Sequence, residues 1–116
     1  MKKLVFLLLA VMILTACGQN KENGQGAVYV NITAEEAKQI MDSEEGYIIL
    51  DVRTQEEYDQ GHIPGAIVIS HEKISEKAEE VLTDKDQLIL VYCRSGRRSK
   101  IAAEALVELG YTNIKE

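Results

Sequence analysis

The sequence lacks several features that would point to a metal or nucleic-acid function. It contains two cysteines, two histidines and no internal repeat, and neither histidine stands at a metal-ligand spacing from a second cysteine. Its 13 lysines and arginines face 19 acidic residues, which gives a formal net charge of −6. An acidic chain argues against nucleic acid as a partner. We therefore predict no metal, no cofactor and no nucleic-acid partner.

Long apolar runs are also scarce. The one long run covers residues 4–14 and follows the positively charged start Met1-Lys2-Lys3. It is shorter than the roughly 20 residues that span a bilayer, and it predicts a secretory signal peptide. The run ends in Leu14-Thr15-Ala16-Cys17, which resembles the bacterial lipoprotein signal. This resemblance implies a signal peptide over residues 1–16, cleavage before Cys17 and lipid on its sulfur. The alternative is an ordinary secreted protein with a chance cysteine there.

The segment that follows this signal differs in composition from the rest of the chain. Residues 17–27 are polar and glycine-rich, which predicts a flexible tether behind a lipidated Cys17. Residues 28–116 then make one small domain. With Cys17 acylated, Cys93 is a lone thiol and no intramolecular disulfide is available. We expect a protein of the cell envelope, lipid-anchored on the extracytoplasmic face of a membrane, whose thiol serves redox or sulfur-transfer chemistry.

Strand and helix signals alternate along this domain. Thr33 and Thr54 each stand three residues before a glutamate, a capping box that predicts the start of a helix. The predicted strands cover residues 29–32, 47–51, 66–69, 88–92 and a segment from 111, and the predicted helices cover 33–41, 54–60, 72–82 and 98–109. This alternation predicts an α/β domain with a mostly parallel sheet. In such sheets the site lies at the carboxyl ends of the strands, where Asp51 and Cys93 fall.

The most informative segment surrounds Cys93. An apolar strand ends at this thiol, and the turn Arg94-Ser-Gly-Arg-Arg98 leads directly into a helix. Successive backbone N–H groups, three guanidinium groups and the helix start predict an anion-binding cradle around a thiolate. The pKa of Cys93 should therefore lie below its ordinary range, and its sulfur should attack an anionic substrate. The alternative is a buried structural cysteine, which would not require the arginines.

Two segments resemble the rhodanese-like domain family. They are Asp51-Val-Arg53-Thr-x-x-Glu57-Tyr58, continued by Gly61-His62-Ile63-Pro64-Gly65-Ala66, and Tyr92-Cys93-Arg94-Ser-Gly96-Arg97-Arg98-Ser99. The resemblance covers roughly residues 28–116. It implies a sheet of about five strands with helices on both faces. It also implies sulfurtransferase chemistry through a cysteine persulfide, with thiosulfate as the usual test donor.

The resemblance assigns roles to individual residues. Cys93 is the nucleophile that carries the persulfide. The residues expected to bind the substrate anion are Arg94, Ser95, Gly96, Arg97 and Arg98, and those expected to support the loop are Asp51, Arg53 and Ser99. His62 is expected to fix a turn, and His71 is most simply a surface or helix-start residue. The family usually continues past the last strand into a closing element, whereas this sequence ends at Glu116, so we expect that element to be missing.

These observations predict a sulfurtransferase that moves sulfur from a small anionic donor such as thiosulfate to a thiol or cyanide acceptor. The alternative is a persulfide carrier or protein-binding module without turnover of its own, which would act with a protein partner. A thiol-dependent reductase or phosphatase is a third possibility. Phosphatases of this kind place five residues between Cys and Arg, whereas four separate Cys93 from Arg98, and this shorter loop suits a single sulfur atom better than a phosphate.

Overall fold

The computed structural model describes residues 28–116. The predicted signal peptide, Cys17 and the tether lie outside the described residues. Helices and strands alternate in the order α1 (Ala34–Ser43), β1 (Ile48–Asp51), α2 (Gln55–Gln60), β2 (Ile67–Val68), a 3-10 turn (His71–Lys73), α3 (Ile74–Val81), β3 (Ile89–Tyr92), α4 (Arg97–Glu108) and β4 (Ile114–Lys115). Within this part of the chain, none of the helices has the length and apolar character needed to cross a membrane.

The four strands form one parallel sheet in the order β2-β1-β3-β4. This confirms the predicted α/β class. The expected strand at residues 29–32 is wrong in its extent, because in the described residues this segment makes a single parallel bridge from Val30 to Lys115. Its partner β4 covers Ile114–Lys115. Backbone bonds from Val30 and Ile32 still attach the segment to that edge.

Local sequence signals explain where the helices begin and end. Both predicted capping boxes are formed, at Thr33 before α1 and at Thr54 before α2. Each threonine side chain accepts a hydrogen bond from a backbone N–H that the helix leaves unpaired. Gly110, just past α4, has a φ of +99°, a left-handed conformation that ends helices and that glycine adopts without strain.

The sheet has a closed face and an open face, which alternate residues of its strands define. Leu50 and Val91 point to the closed face, where α3 and α4 cover them; their fully buried partners include Ile74, Ala78, Leu82, Ala102, Ala103 and Leu106. Ile49 and Leu90 point to the open face, which α1 and α2 cover. The helices therefore lie on both faces, as predicted, but no residue of α1 or α2 is buried.

Candidate functional site

The candidate site lies at the carboxyl ends of β1 and β3, which are neighbours at the centre of the sheet. Asp51 pairs in register with Tyr92, and the N–H of Val52 donates to the carbonyl of Tyr92 at 3.1 Å. Cys93 follows Tyr92 directly and is half-buried. The sheet thus brings Asp51 and Cys93 to one edge, as the sequence predicts.

The loop between β3 and α4 folds back over the Cys93 sulfur. The N–H of Gly96 lies 3.0 Å from Cys93 Sγ, and the N–H of Ser99 lies 3.3 Å from it. Gly96 has a φ of +91°, so this reversal of the chain needs a residue that tolerates the left-handed region. Ser99 Oγ lies 3.5 Å from Cys93 Sγ, within hydrogen-bond distance of it. The cradle has the form of a backbone nest around one sulfur atom.

These contacts shift the acidity of the thiol. Burial raises the pKa of Cys93, but hydrogen bonds from Ser99, Gly96 and Ser95 outweigh it and hold the pKa below its ordinary value of 9.0. The direction agrees with the sequence analysis, but the cause differs in part. The sequence analysis named backbone N–H groups, the helix start and three guanidinium groups, whereas the groups that contact the sulfur are backbone N–H groups and a serine hydroxyl. Thiolate character therefore depends on the conformation of the loop.

Arg98 has a different role from the other two arginines. Its guanidinium donates to both oxygens of Glu57, at 2.7 and 3.1 Å. These hydrogen bonds, with those from Thr54, lower the pKa of Glu57 to about 2. The pair joins α2 to the first turn of α4, so it restrains the loop. Arg94 and Arg97 are exposed, and within residues 28–116 neither forms an ion pair.

Asp51 is fully buried and is the centre of a second network. It accepts from Arg53 Nε at 2.9 Å and Nη2 at 2.6 Å, and from the Tyr92 hydroxyl at 2.7 Å. Burial raises the pKa of Asp51, but the bonds from Arg53 and Tyr92 together keep it below its ordinary value. Arg53 also donates to the carbonyl of Gly61 at 2.7 Å. Asp51 and Arg53 thus orient the loops around the site, as the sequence analysis proposed.

Ser99 and both histidines occupy structural positions. Ser99 is buried, and its hydroxyl donates to Glu116 at 2.7 Å, which links α4 to the end of β4. His62 stacks on Tyr58 with ring centroids 3.6 Å apart, which fits its expected role in a turn. His71 begins the 3-10 turn, and its Nδ1 is buried with no hydrogen-bond partner among the described residues.

Sequence reasoning did not predict the contacts of three residues around the site. Tyr92 bridges Asp51 and the N–H of Ile63, Glu57 holds Arg98, and Glu116 accepts from Ser99. Glu57 and Tyr92 both stand in the segments that resemble the rhodanese-like family, but the contacts that they make here were not predicted. No local pattern reports these contacts, since the Glu57–Arg98 and Asp51–Tyr92 pairs are each 41 positions apart.

A cavity of about 230 Å³ reaches Cys93 from the open face of the sheet. Ala37 and Met41 of α1 form one wall, and Leu90 of β3 forms another. Cys93 and Glu116 also line it, whereas Arg94, Arg97 and Arg98 do not. Gly96 and Ser99 of the loop line it as well, so the apolar space and the loop meet at the sulfur.

Comparison with protein families places this geometry in context. The family described as the rhodanese-like domain matches residues 33–116. Thiosulfate sulfurtransferase PspE of Escherichia coli is 41% identical over 66 residues, which cover 57% of this chain and 64% of that protein. A sulfurtransferase of Allochromatium vinosum is 34% identical over 83 residues, covering 72% and 76%. YrkF of Bacillus subtilis, provisionally named a sulfur carrier protein, is 40% identical, but the match spans only 44% of its length.

Solved structures show the same fold. A rhodanese with anions from Escherichia coli is 38% identical and superposes with a TM-score of 0.57, covering 60% of this chain and 82% of that one. The rhodanese-like domain of an Anabaena protein is 26% identical with a TM-score of 0.67, covering 80% and 67%. Several of the matched proteins are longer than the matched region, which for PspE and YrkF is less than two thirds of their length.

Proposed function

The chain belongs to the rhodanese-like domain family, and from this membership we propose that it is a sulfurtransferase that works through a persulfide on Cys93. The observation that carries the proposal is the pair of N–H groups, from Gly96 and Ser99, that point at the sulfur. Such donors stabilise a thiolate before attack and a terminal persulfide anion after it. Named thiosulfate sulfurtransferases among the relatives support thiosulfate as the donor.

In the first half-reaction, the Cys93 thiolate attacks the outer sulfur of thiosulfate. A new sulfur–sulfur bond forms on Cys93, the bond inside thiosulfate breaks, and sulfite leaves with the electron pair. Arg94 and Arg97 stand in the loop with exposed guanidinium groups, and they attract the dianion and meet the charge of the departing sulfite. In the second half-reaction, cyanide or a thiol takes the outer sulfur, and Cys93 returns as thiolate. This is a ping-pong scheme.

Intact-mass measurement after thiosulfate treatment tests the proposal directly. The protein should gain one sulfur atom, and cyanide should remove it. Cys93→Ser should retain the fold and gain no sulfur, because the serine hydroxyl is not ionised at neutral pH. Sulfur transfer that persists in Cys93→Ser would exclude Cys93 as the nucleophile.

A persulfide carrier is the second candidate. It is supported by the provisional name of YrkF and by the exposure of Arg94 and Arg97, which leaves both free to meet an acidic protein. A carrier accepts one sulfur from thiosulfate and then stops. Steady-state turnover with thiosulfate and cyanide would favour the enzyme, and a single stoichiometric transfer would favour the carrier.

We also propose that Cys17 carries a lipid that anchors the domain outside the cytoplasm. The proposal rests on the Leu14–Cys17 signal and the glycine-rich segment behind it. Cys17→Ser should release the protein from the membrane fraction or stall its processing, while the activity of the domain stays unchanged. Fractionation that finds this variant still firmly bound to membranes would contradict lipid attachment at Cys17.

A further inference from the structure

We propose that Tyr92 is a positioning residue for the nucleophile, and that its hydroxyl fixes the end of β3 so that the Cys93 sulfur meets the N–H groups of the loop. The inference rests on the proposed persulfide chemistry and adds to it a residue that acts through Cys93. Tyr92 is the last residue of β3, and Cys93 follows it directly. Because the peptide unit between them is planar and rigid, a displacement of Tyr92 also displaces Cys93.

The hydroxyl of Tyr92 joins segments that are distant in sequence. It donates to Asp51 Oδ2 at 2.7 Å, at the end of β1, and it accepts from the N–H of Ile63 at 3.2 Å. Asp51 is fully buried, and a buried carboxylate that loses a donor cannot replace it with water at no cost. The Tyr92 side chain is therefore attached to a group that resists its release.

The backbone and the ring of Tyr92 are held from the same side of the sheet. The carbonyl of Tyr92 accepts from the N–H of Val52 at 3.1 Å, so consecutive residues at the end of β1 bind its backbone and its side chain. The guanidinium carbon of Arg53 lies 5.7 Å from the centroid of the Tyr92 ring, within the range of a cation–π contact. Together these contacts fix both the place and the orientation of the residue before the nucleophile.

The position of the sulfur decides how well the loop stabilises a thiolate. The N–H groups of Gly96 and Ser99 lie 3.0 and 3.3 Å from Cys93 Sγ, and hydrogen bonds weaken steeply as their geometry departs from the ideal. The loop itself is held from α2 through Arg98. Loss of the Tyr92 hydroxyl should therefore move the sulfur relative to its donors, and the pKa of Cys93 should rise towards its ordinary value.

A second tyrosine on the open face provides a matched control. Tyr58 packs against the same hydrophobic cluster as Tyr92, and its hydroxyl donates to the carbonyl of Ala66 at 2.6 Å. Among residues 28–116, this is the hydrogen bond that the Tyr58 hydroxyl makes, and it involves neither β1 nor β3. Tyr58→Phe and Tyr92→Phe thus each remove one bonded hydroxyl, but only the second change affects the residue before Cys93.

The pH dependence of Cys93 alkylation by iodoacetamide tests the assignment. We expect the midpoint of the profile to move upward in Tyr92→Phe and to stay at the wild-type value in Tyr58→Phe. Steady-state kcat/KM for thiosulfate should fall about tenfold in Tyr92→Phe and less than about twofold in Tyr58→Phe, because misplacement of a nucleophile lowers the rate. A residue with a structural role alone would lower stability without moving the midpoint, and urea unfolding of both variants measures stability separately.

A wild-type midpoint in Tyr92→Phe would overturn the inference, as would equal shifts of the midpoint in the two variants. Both variants keep the aromatic ring, and circular dichroism confirms that they are folded. If thiosulfate forms no persulfide on the wild-type protein, the proposed function fails. Alkylation requires no sulfur transfer, so the midpoints still decide whether Tyr92 positions Cys93.

Discussion

On the closed face of the sheet, α3 and α4 bury Ile74, Ala78 and Leu106 completely, whereas on the open face no residue of α1 or α2 is buried. The two central strands, β1 and β3, contribute side chains to both faces. Residues of β3 alternate between them, so Val91 belongs to the hydrophobic cluster of the closed face and its neighbour Leu90 to that of the open face. The difference between the faces therefore comes from the helices that cover them and not from the strands.

The difference between the two faces separates two properties of the molecule, the stability of the domain and access to the Cys93 sulfur. Strand β3 positions Cys93 at its end, and helix α4, which begins at the other end of the loop that follows Cys93, is held by the closed face. The loop geometry that points N–H groups at the sulfur is thus fixed by the well-packed side. The open face is less tightly packed and leaves space that reaches the same sulfur. A site that must admit substrates benefits from this division, because a fully packed core has no room for a ligand.

The largest expected effect compares the same substitution on the two faces. Ile74→Ala, on α3, removes a fully buried side chain and should lower the free energy of unfolding by about 2–5 kcal/mol. Ile40→Ala, on α1, removes a partly buried one and should cost only about 1 kcal/mol. Urea unfolding monitored by circular dichroism measures both. Equal losses would show that the open face contributes as much stability as the closed face, contrary to this comparison.

A second prediction concerns the link between the faces. Glu57 belongs to α2 on the open face and Arg98 to α4 on the closed face, so their ion pair ties the loop to both. Arg98→Ala and Glu57→Gln should each lower kcat/KM for thiosulfate about tenfold, because the loop N–H groups lose their alignment with Cys93. Glu56→Gln, an exposed neighbour on α2, is the matched control and should change nothing. If kcat/KM of both variants equals that of this control, the Glu57–Arg98 ion pair does not hold the loop in its active conformation.

The third prediction is a pH profile of the cradle. Because the pKa of Cys93 is lowered, alkylation by iodoacetamide should show a midpoint below 9.0. Ser99→Ala removes a side-chain hydrogen bond to the sulfur, so its midpoint should move upward. The lowered pKa of Cys93 also makes the stability of the domain depend on pH. The thiolate stabilises the folded state at pH values above the pKa of the thiol in the unfolded chain, and this stabilisation is lost as the pH falls through the pKa of the thiol in the folded state. An unchanged midpoint in Ser99→Ala would assign the shift to the backbone N–H groups alone.

Local signals in the sequence were sufficient for most of the fold. The capping boxes at Thr33 and Thr54 and the apolar strands ending at Asp51 and Tyr92 are encoded within a few residues, and the structure forms all of them. The strand predicted at residues 29–32 depended on an edge partner, and in the described residues it forms one bridge, from Val30 to Lys115, with a further backbone bond from Ile32. Edge pairing is a tertiary property that propensity does not report.

The candidate site likewise has some features that the sequence predicts and others that it does not. The position of Cys93 at a strand end and the turn behind it could be predicted, because both are contiguous in sequence. The partner of Arg98 and the apolar cavity could not. Each arises where α1, α2 and α4 meet around the sheet, so each depends on contacts between distant segments.

The smallest expected effect belongs to Arg97, the exposed first residue of α4. It is exposed and forms no ion pair among residues 28–116, so its charge acts through the solvent. Arg97→Ala should raise KM for thiosulfate about twofold to threefold at low salt, since only long-range attraction of the donor is lost. The effect should disappear near about 1 M salt, where the screening length falls to roughly 3 Å. Lys77→Ala removes the same charge from an exposed position on α3 and should leave KM unchanged, which separates a local field from net charge. A rise in KM in Arg97→Ala that persists at high salt would instead indicate that Arg97 contacts the donor directly and binds it, and does not only attract it over a distance.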